Sequence, residues 1–119
     1  MIRAASLLVA TIACNPCGNT VLSEVDAPTG GRRAIVFIRN CGATTAFSTQ
    51  VSILPGDHRL ENEAGNVLVA KLAGNDSLVA VAWKSGTSLD VSYPASAEVF
   101  KRVTAHDGVS VSYRPTSER

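Results

Sequence analysis

The sequence predicts an all-β domain of about seven short antiparallel strands, arranged as a sandwich or a small barrel. Two patterns and one bound lead there. From residue 20 onward apolar and polar residues alternate with a period of about two, not the roughly 3.6 of a helix. Short apolar runs are separated by turn residues at intervals of about 8–12 positions. The length of 119 residues leaves room for one domain. A composition 45% hydrophobic and 18% charged excludes a disordered polymer.

The first strand is expected over Val21–Val25, closed by the turn cluster Asp26-Ala27-Pro28-Thr29-Gly30-Gly31. Arg33–Arg39 encloses the unbroken apolar run Ala34-Ile35-Val36-Phe37-Ile38, the pattern of a strand buried on both faces and the expected centre of the sheet. Asn40–Thr45 is a loop. Ala46–Leu54 returns as a strand with Phe47, Val51 and Ile53 on one face and Ser48 and Ser52 on the other, stopped by Pro55-Gly56-Asp57. The polar stretch Asp57–Asn66 leads to a strand over Val67–Leu72, and Gly74-Asn75-Asp76 turns the chain into Ser77–Trp83. Lys84–Thr87 is a tight connection to Ser88–Tyr93, where Leu89, Val91 and Tyr93 alternate with Asp90 and Ser92 as in a half-solvated strand. Pro94–Val103 mixes a helix-like start, Ala95-Ser96-Ala97-Glu98, with the strand formers Val99-Phe100, and a strand is the expectation. His106-Asp107-Gly108 reads as a hairpin tip, because an Asp-Gly pair tolerates positive φ. Val109, Val111 and Tyr113 complete the last strand, and Arg114–Arg119 is a polar tail.

The N-terminus is a separate unit. Met1-Ile2-Arg3 supplies one basic residue, and Ala4–Ala13 is apolar apart from Ser6 and Thr11, the layout of a signal peptide. The run is shorter than the ~20 apolar residues that span a bilayer. Thr11-Ile12-Ala13-Cys14 resembles the lipobox of bacterial lipoproteins, in which a small residue precedes a cysteine that is acylated and becomes the new N-terminus. Thr11 departs from that pattern, which prefers Leu. The expectation is a leader over residues 1–13, lipid attachment at Cys14 and a single β domain over 14–119. The alternative is an intracellular domain in which residues 1–13 belong to the fold.

Three cysteines are an odd number for an exported protein unless one is consumed outside a disulfide. Acylation of Cys14 would leave Cys17 and Cys41 as a pair, closing a loop of about 25 residues worth ~3.5 kcal/mol in the chain-entropy account. A redox C-x-x-C at Cys14-Asn15-Pro16-Cys17 would need its first thiol at a helix N-terminus, whereas Gly18-Asn19-Thr20-Val21-Leu22 reads as a turn and a strand.

Three stretches carry a further resemblance: Cys17–Val25; Asn40-Cys41-Gly42-Ala43-Thr44-Thr45 with Phe47–Leu54; and Gly65-Asn66-Val67 with Val69-Ala70. They look like a family of small bacterial exported proteins and lipoproteins with a β domain and a Cys-Gly-Ala-Thr-Thr segment. The resemblance covers most of residues 17–113 and implies a paired Cys17 and Cys41 and an envelope location. It implies no activity. Ala27-Pro28-Thr29-Gly30 stands where the family often has Ser-Pro-Asp-Gly, and Trp83–Val91 matches its Trp, polar turn and following strand. Both patterns are similar to single β-propeller blades, a likeness of hairpin chemistry in a chain too short to close a propeller.

Candidate chemistry is sparse. His58 and His106 each adjoin an aspartate, Asp57 and Asp107, but no serine sits in a Gly-x-Ser-x-Gly elbow, so the pairs read as solvated turns and no catalytic residue is expected. Asp57, Glu61, Glu63, Asn62 and Asn66 offer oxygen donors without EF-hand spacing, and neither a metal site nor a cofactor is expected. Arg32, Arg33 and Arg39 flank the central strand as charges guarding its ends. With 11 basic and 10 acidic residues the chain lacks the positive excess that drives nucleic-acid binding.

Gly42, Ala43, Thr44 and Thr45 form the candidate recognition loop, since a polar loop held by a disulfide presents a surface at low entropic cost. The functional expectation is a non-enzymatic envelope domain, lipid-anchored and disulfide-stapled, with another protein as partner. A second reading is an inhibitor or immunity lipoprotein that blocks a hydrolase. Ser85–Tyr93 is loosely similar to the Ser-Gly…Tyr segment of lysozyme-inhibitor lipoproteins.

Overall fold

A strand that is apolar at every position needs a cover on each face, and the architecture follows from that requirement. The computed structural model describes residues 17–42, 47–73 and 78–117. Its strands are β1 (Gly18–Asp26), β2 (Arg32–Asn40), β3 (Ser48–Pro55), β4 (Leu68–Lys71), β5 (Ala80–Ser85), β6 (Ser88–Pro94), β7 (Glu98–Arg102), β8 (Ala105–His106) and β9 (Val109–Thr116). They form a five-stranded sheet, β1-β2-β3-β4-β7, packed on a four-stranded sheet, β5-β6-β9-β8.

The all-β expectation holds, and of its two architectures the structure is the sandwich, not a closed barrel. The expectation of uniformly antiparallel pairing is corrected at one place. β6 and β9 pair in parallel, from Ser88–Ser110 to Pro94–Thr116. The chain leaves β6 for β7 in the other sheet and returns through the β8–β9 hairpin, so β9 enters from the same end as β6. Parallel pairing requires such a crossover, whose path is not written in local periodicity.

β2 is buried on both faces, as its sequence predicts. Ala34 and Val36 face the second sheet with Val51, Ile53, Leu68 and Ala70, against Leu89, Val91, Val109 and Val111. Ile35 and Phe37 face the other way and pack with Leu54 and Leu60. Leu60 belongs to the polar stretch 57–66, which folds back over the outer face rather than only linking two strands.

Polar side chains hold that cover in place. The Arg33 guanidinium donates to the carbonyls of Pro55, Gly56 and His58 and pairs with Glu24. Asn19 donates to the carbonyls of Glu61 and Glu63, and Arg39 donates to the side-chain oxygens of Asn19 and Asn62. Asn66 brackets Ile53, accepting from its N–H at 2.8 Å and donating to its carbonyl at 3.0 Å. Its amide thereby substitutes for a neighbouring strand's backbone where β4 has not yet begun.

Gly65 closes the cover. It is buried, its N–H donates to Gln50 Oε1 at 2.6 Å, and its carbonyl accepts from Lys101 Nζ at 3.1 Å. A β-carbon there would lie 2.8 Å from the Val51 carbonyl oxygen and 2.9 Å from that of Leu68, both backbone atoms. Gly65→Ala is therefore expected to destabilise the fold by about 1–3 kcal/mol, the range for overpacking. Urea unfolding measures it, and an unchanged midpoint would contradict this account of the loop.

Candidate functional site

Strand directions define two ends of the sandwich. At one lie the start of β1, the end of β2, the start of β3 and two of the three connections between the sheets, β4 to β5 and β6 to β7. At the other lie the turns Pro28–Gly31, Gly56–Asp57, Gly86–Thr87 and Asp107–Gly108.

The cysteine end carries the covalent feature. The last β1–β2 rung is Gly18–Asn40, and Cys17 and Cys41 occupy the next one, with Cα atoms 3.7 Å apart and a disulfide between them. Adjacent strands thus bring the pair together. Cys17 is consumed by Cys41, and this removes the redox reading of Cys14 with Cys17. Cys14 lies outside the described residues, as do Ala43, Thr44 and Thr45 of the candidate recognition loop. Its first residue, Gly42, adopts φ +115° and donates from its N–H to Asn40 Oδ1.

The turn end gathers the histidine segments. Asp107 (φ 51°) and Gly108 (φ 78°) form the expected two-residue tip between His106 and Val109, both with positive φ as a type I′ hairpin requires. The Asp107 carboxylate accepts from Arg32 at 3.3 Å and ties this hairpin to β2. Of the oxygen donors grouped in the 57–66 stretch, Asn62 and Asn66 are engaged by Arg39 and Ile53. Among the described residues no three His, Cys, Asp or Glu side chains come together as a metal set.

Two aromatic latches join the sheets. Trp83 Nε1 donates to the Val25 carbonyl at 2.8 Å, linking β5 to β1. On the far side the Tyr113 hydroxyl donates to the Val103 carbonyl, with the Val67 carbonyl 3.3 Å away, linking β9 to the residue after β7 and the residue before β4. Arg102 donates to Tyr93 Oη at 2.7 Å and lies over the Tyr113 ring at 5.3 Å, and the two rings meet edge to face at 6.2 Å. Burial pushes the Tyr113 phenol up to about 12, with Arg102 opposing and Tyr93 adding to the rise. Trp83 and Tyr93 are thus packing residues.

The solvent face of β5, β6 and β9 forms a groove of about 370 Å³. Its cross-strand rows are Ala82–Asp90–Ser112 and Ala80–Ser92–Arg114. Sequence reading missed this groove because its third strand, β9, is placed by the parallel β6–β9 pairing. The Ser85–Tyr93 segment is the β5–β6 turn and β6 itself: Leu89, Val91 and Tyr93 are core, and Gly86 is buried against Thr29.

The fold and its ends define a two-sheet β-sandwich stapled at one end. No family model, curated protein or solved structure matches the chain.

Two predictions follow from this geometry. Reduction, or Cys41→Ser, lowers the unfolding free energy by about 2–4 kcal/mol, as loss of a native bridge over such a loop does; denaturant titration with and without reductant checks it. Because the phenol of Tyr113 titrates above its unfolded value of about 10, folding favours its neutral form. That stability is intact below pH about 10 and is lost as pH rises through about 12. Tyr113→Phe removes the latest-titrating part of the ultraviolet phenolate signal and costs about 1 kcal/mol for the lost hydrogen bond.

Proposed function

We propose that the chain is a small envelope-located domain with a binding or structural role toward another protein, held at a membrane by a lipid on Cys14 and stapled by Cys17–Cys41. The observation that carries this reading is the cysteine pairing. With Cys17 bonded to Cys41, Cys14 is the cysteine left over, and it directly follows the leader-like residues 1–13 and ends the lipobox-like Thr11-Ile12-Ala13-Cys14. Structural disulfides persist in oxidising compartments, which agrees with export. The resemblance to small bacterial exported proteins and lipoproteins points the same way. No cofactor, metal or catalytic residue enters the proposal.

The test is the intact mass of the full-length protein expressed in a bacterium, measured with and without reductant alongside membrane fractionation. Expected are removal of residues 1–13, a diacyl or triacyl addition on Cys14, membrane association, and a gain of about 2 Da on reduction for the two hydrogens taken up by the bridge. Cys14→Ser should abolish the acyl mass and release the protein from membranes. An unprocessed chain in the soluble fraction would overturn the anchor and make residues 1–13 part of an intracellular fold.

A further inference from the structure

We infer that the cysteine end of the sandwich is a membrane-contacting face, with Phe47 and Leu78 entering the boundary between headgroups and acyl chains. The inference rests on the lipid anchor proposed above and adds the orientation of the domain on the bilayer.

The first observation is the length of the tether. Three residue steps separate Cys14 from Cys17, at most about 11 Å of extended chain. The Cys17–Cys41 bridge fixes the end of that tether to the β1–β2 ladder. A lipid on Cys14 therefore cannot hold the domain at arm's length. It brings this end, and not the turn end, against the bilayer.

The second observation is where the exposed apolar side chains lie. Phe47 is 53% exposed and Leu78 43% exposed, and both belong to the cysteine end: Phe47 immediately precedes β3, and Leu78 leads from the sheet-to-sheet connection into β5. The other large apolar residues with substantial exposure, Val21, Leu22 and Phe100, lie along the edge strands β1 and β7. Among the described residues none belongs to the turn end, whose side chains include Asp26, Lys84, Asp57 and the Arg32–Asp107 pair. Phe47 continues the inward-facing row of Val51 and Ile53, yet that face stops being buried beyond the Ile38–Thr49–Ala70 rung, so the ring is left to solvent. Phe47 and Leu78 on the anchored end, beside the exposed Lys71–Glu98 rung, and no exposed large apolar side chain among the described residues of the other end fit a domain whose apolar side chains enter the boundary while its charges meet headgroups or water. This orientation assigns Gly42, beside Cys41, to the membrane side and turns the opposite end outward.

The test uses full-length protein extracted from membranes and reconstituted in phosphatidylcholine vesicles, with and without bromine on the acyl chains. Trp83 is the native tryptophan, and its bond to Val25 places it in the half nearer the turns, so it serves as an internal reference. Phe47→Trp and Leu78→Trp each add a fluorophore at an exposed position where the fold has little to lose. The added emission should fall about twofold or more in brominated vesicles, as for a ring about 5–10 Å into the boundary, while that of Trp83 stays nearly constant. The intact mass of the same sample reports the acyl group on Cys14. An acylated protein whose added tryptophans are both unquenched would overturn the contact face and leave the anchor standing. A protein without the acyl group would overturn the anchor and this inference with it.

Discussion

The two-faced burial of β2 is the constraint on which the structure depends. Alternate residues of a strand point to opposite sides, so four consecutive apolar residues, Ala34 to Phe37, place apolar surface on both faces of the larger sheet. The second sheet covers Ala34 and Val36. Among the described residues no strand covers Ile35 and Phe37, and an irregular loop carrying Leu60 does so instead. The loop and the second sheet answer the same demand by different means.

A loop that acts as a layer has backbone groups with no ladder to join, and buried backbone groups must find partners. The sequence supplies them as side chains. Arg33, Asn19 and Lys101 donate to loop carbonyls, while Gln50, Ser52 and Asn66 meet the N–H groups of Gly65, Asn66 and Ile53. Arginines that look like solvated guards of a strand are therefore clamps; of the asparagines in the acidic stretch, Asn66 substitutes for a strand and Asn62 accepts from Arg39. Where such groups face the interior, their function is the fold.

The same economy separates the two ends. Turns with positive φ, bracketed by Arg32 and Asp107, close one end with charge. The other is closed by a covalent bond and by crossovers between the sheets, and it is there that Phe47 and Leu78 remain uncovered. Latches at Trp83 and Tyr113 tie the sheets along both sides between these ends. The staple and the exposed Phe47 and Leu78 thus share one end of the molecule.

The all-β class, the central strand and the Asp107-Gly108 hairpin were legible because each is set by local chemistry: period-two alternation, an unbroken apolar run, and a residue pair that accepts positive φ. The Cys17–Cys41 pair was legible as one of the pairings that three cysteines allow, and the adjacency of the ends of β1 and β2 decides it. The sequence alone could not place Phe47, whose position in an apolar row predicts burial, because burial depends on how far the opposing sheet extends. Nor could it show the parallel β6–β9 pairing, the groove that this pairing completes, or the 57–66 loop as a layer. Those depend on contacts between residues far apart in the chain, such as Arg33 with the loop carbonyls and Tyr113 with Val103 and Val67, and such contacts exist only once the sheets have been brought together.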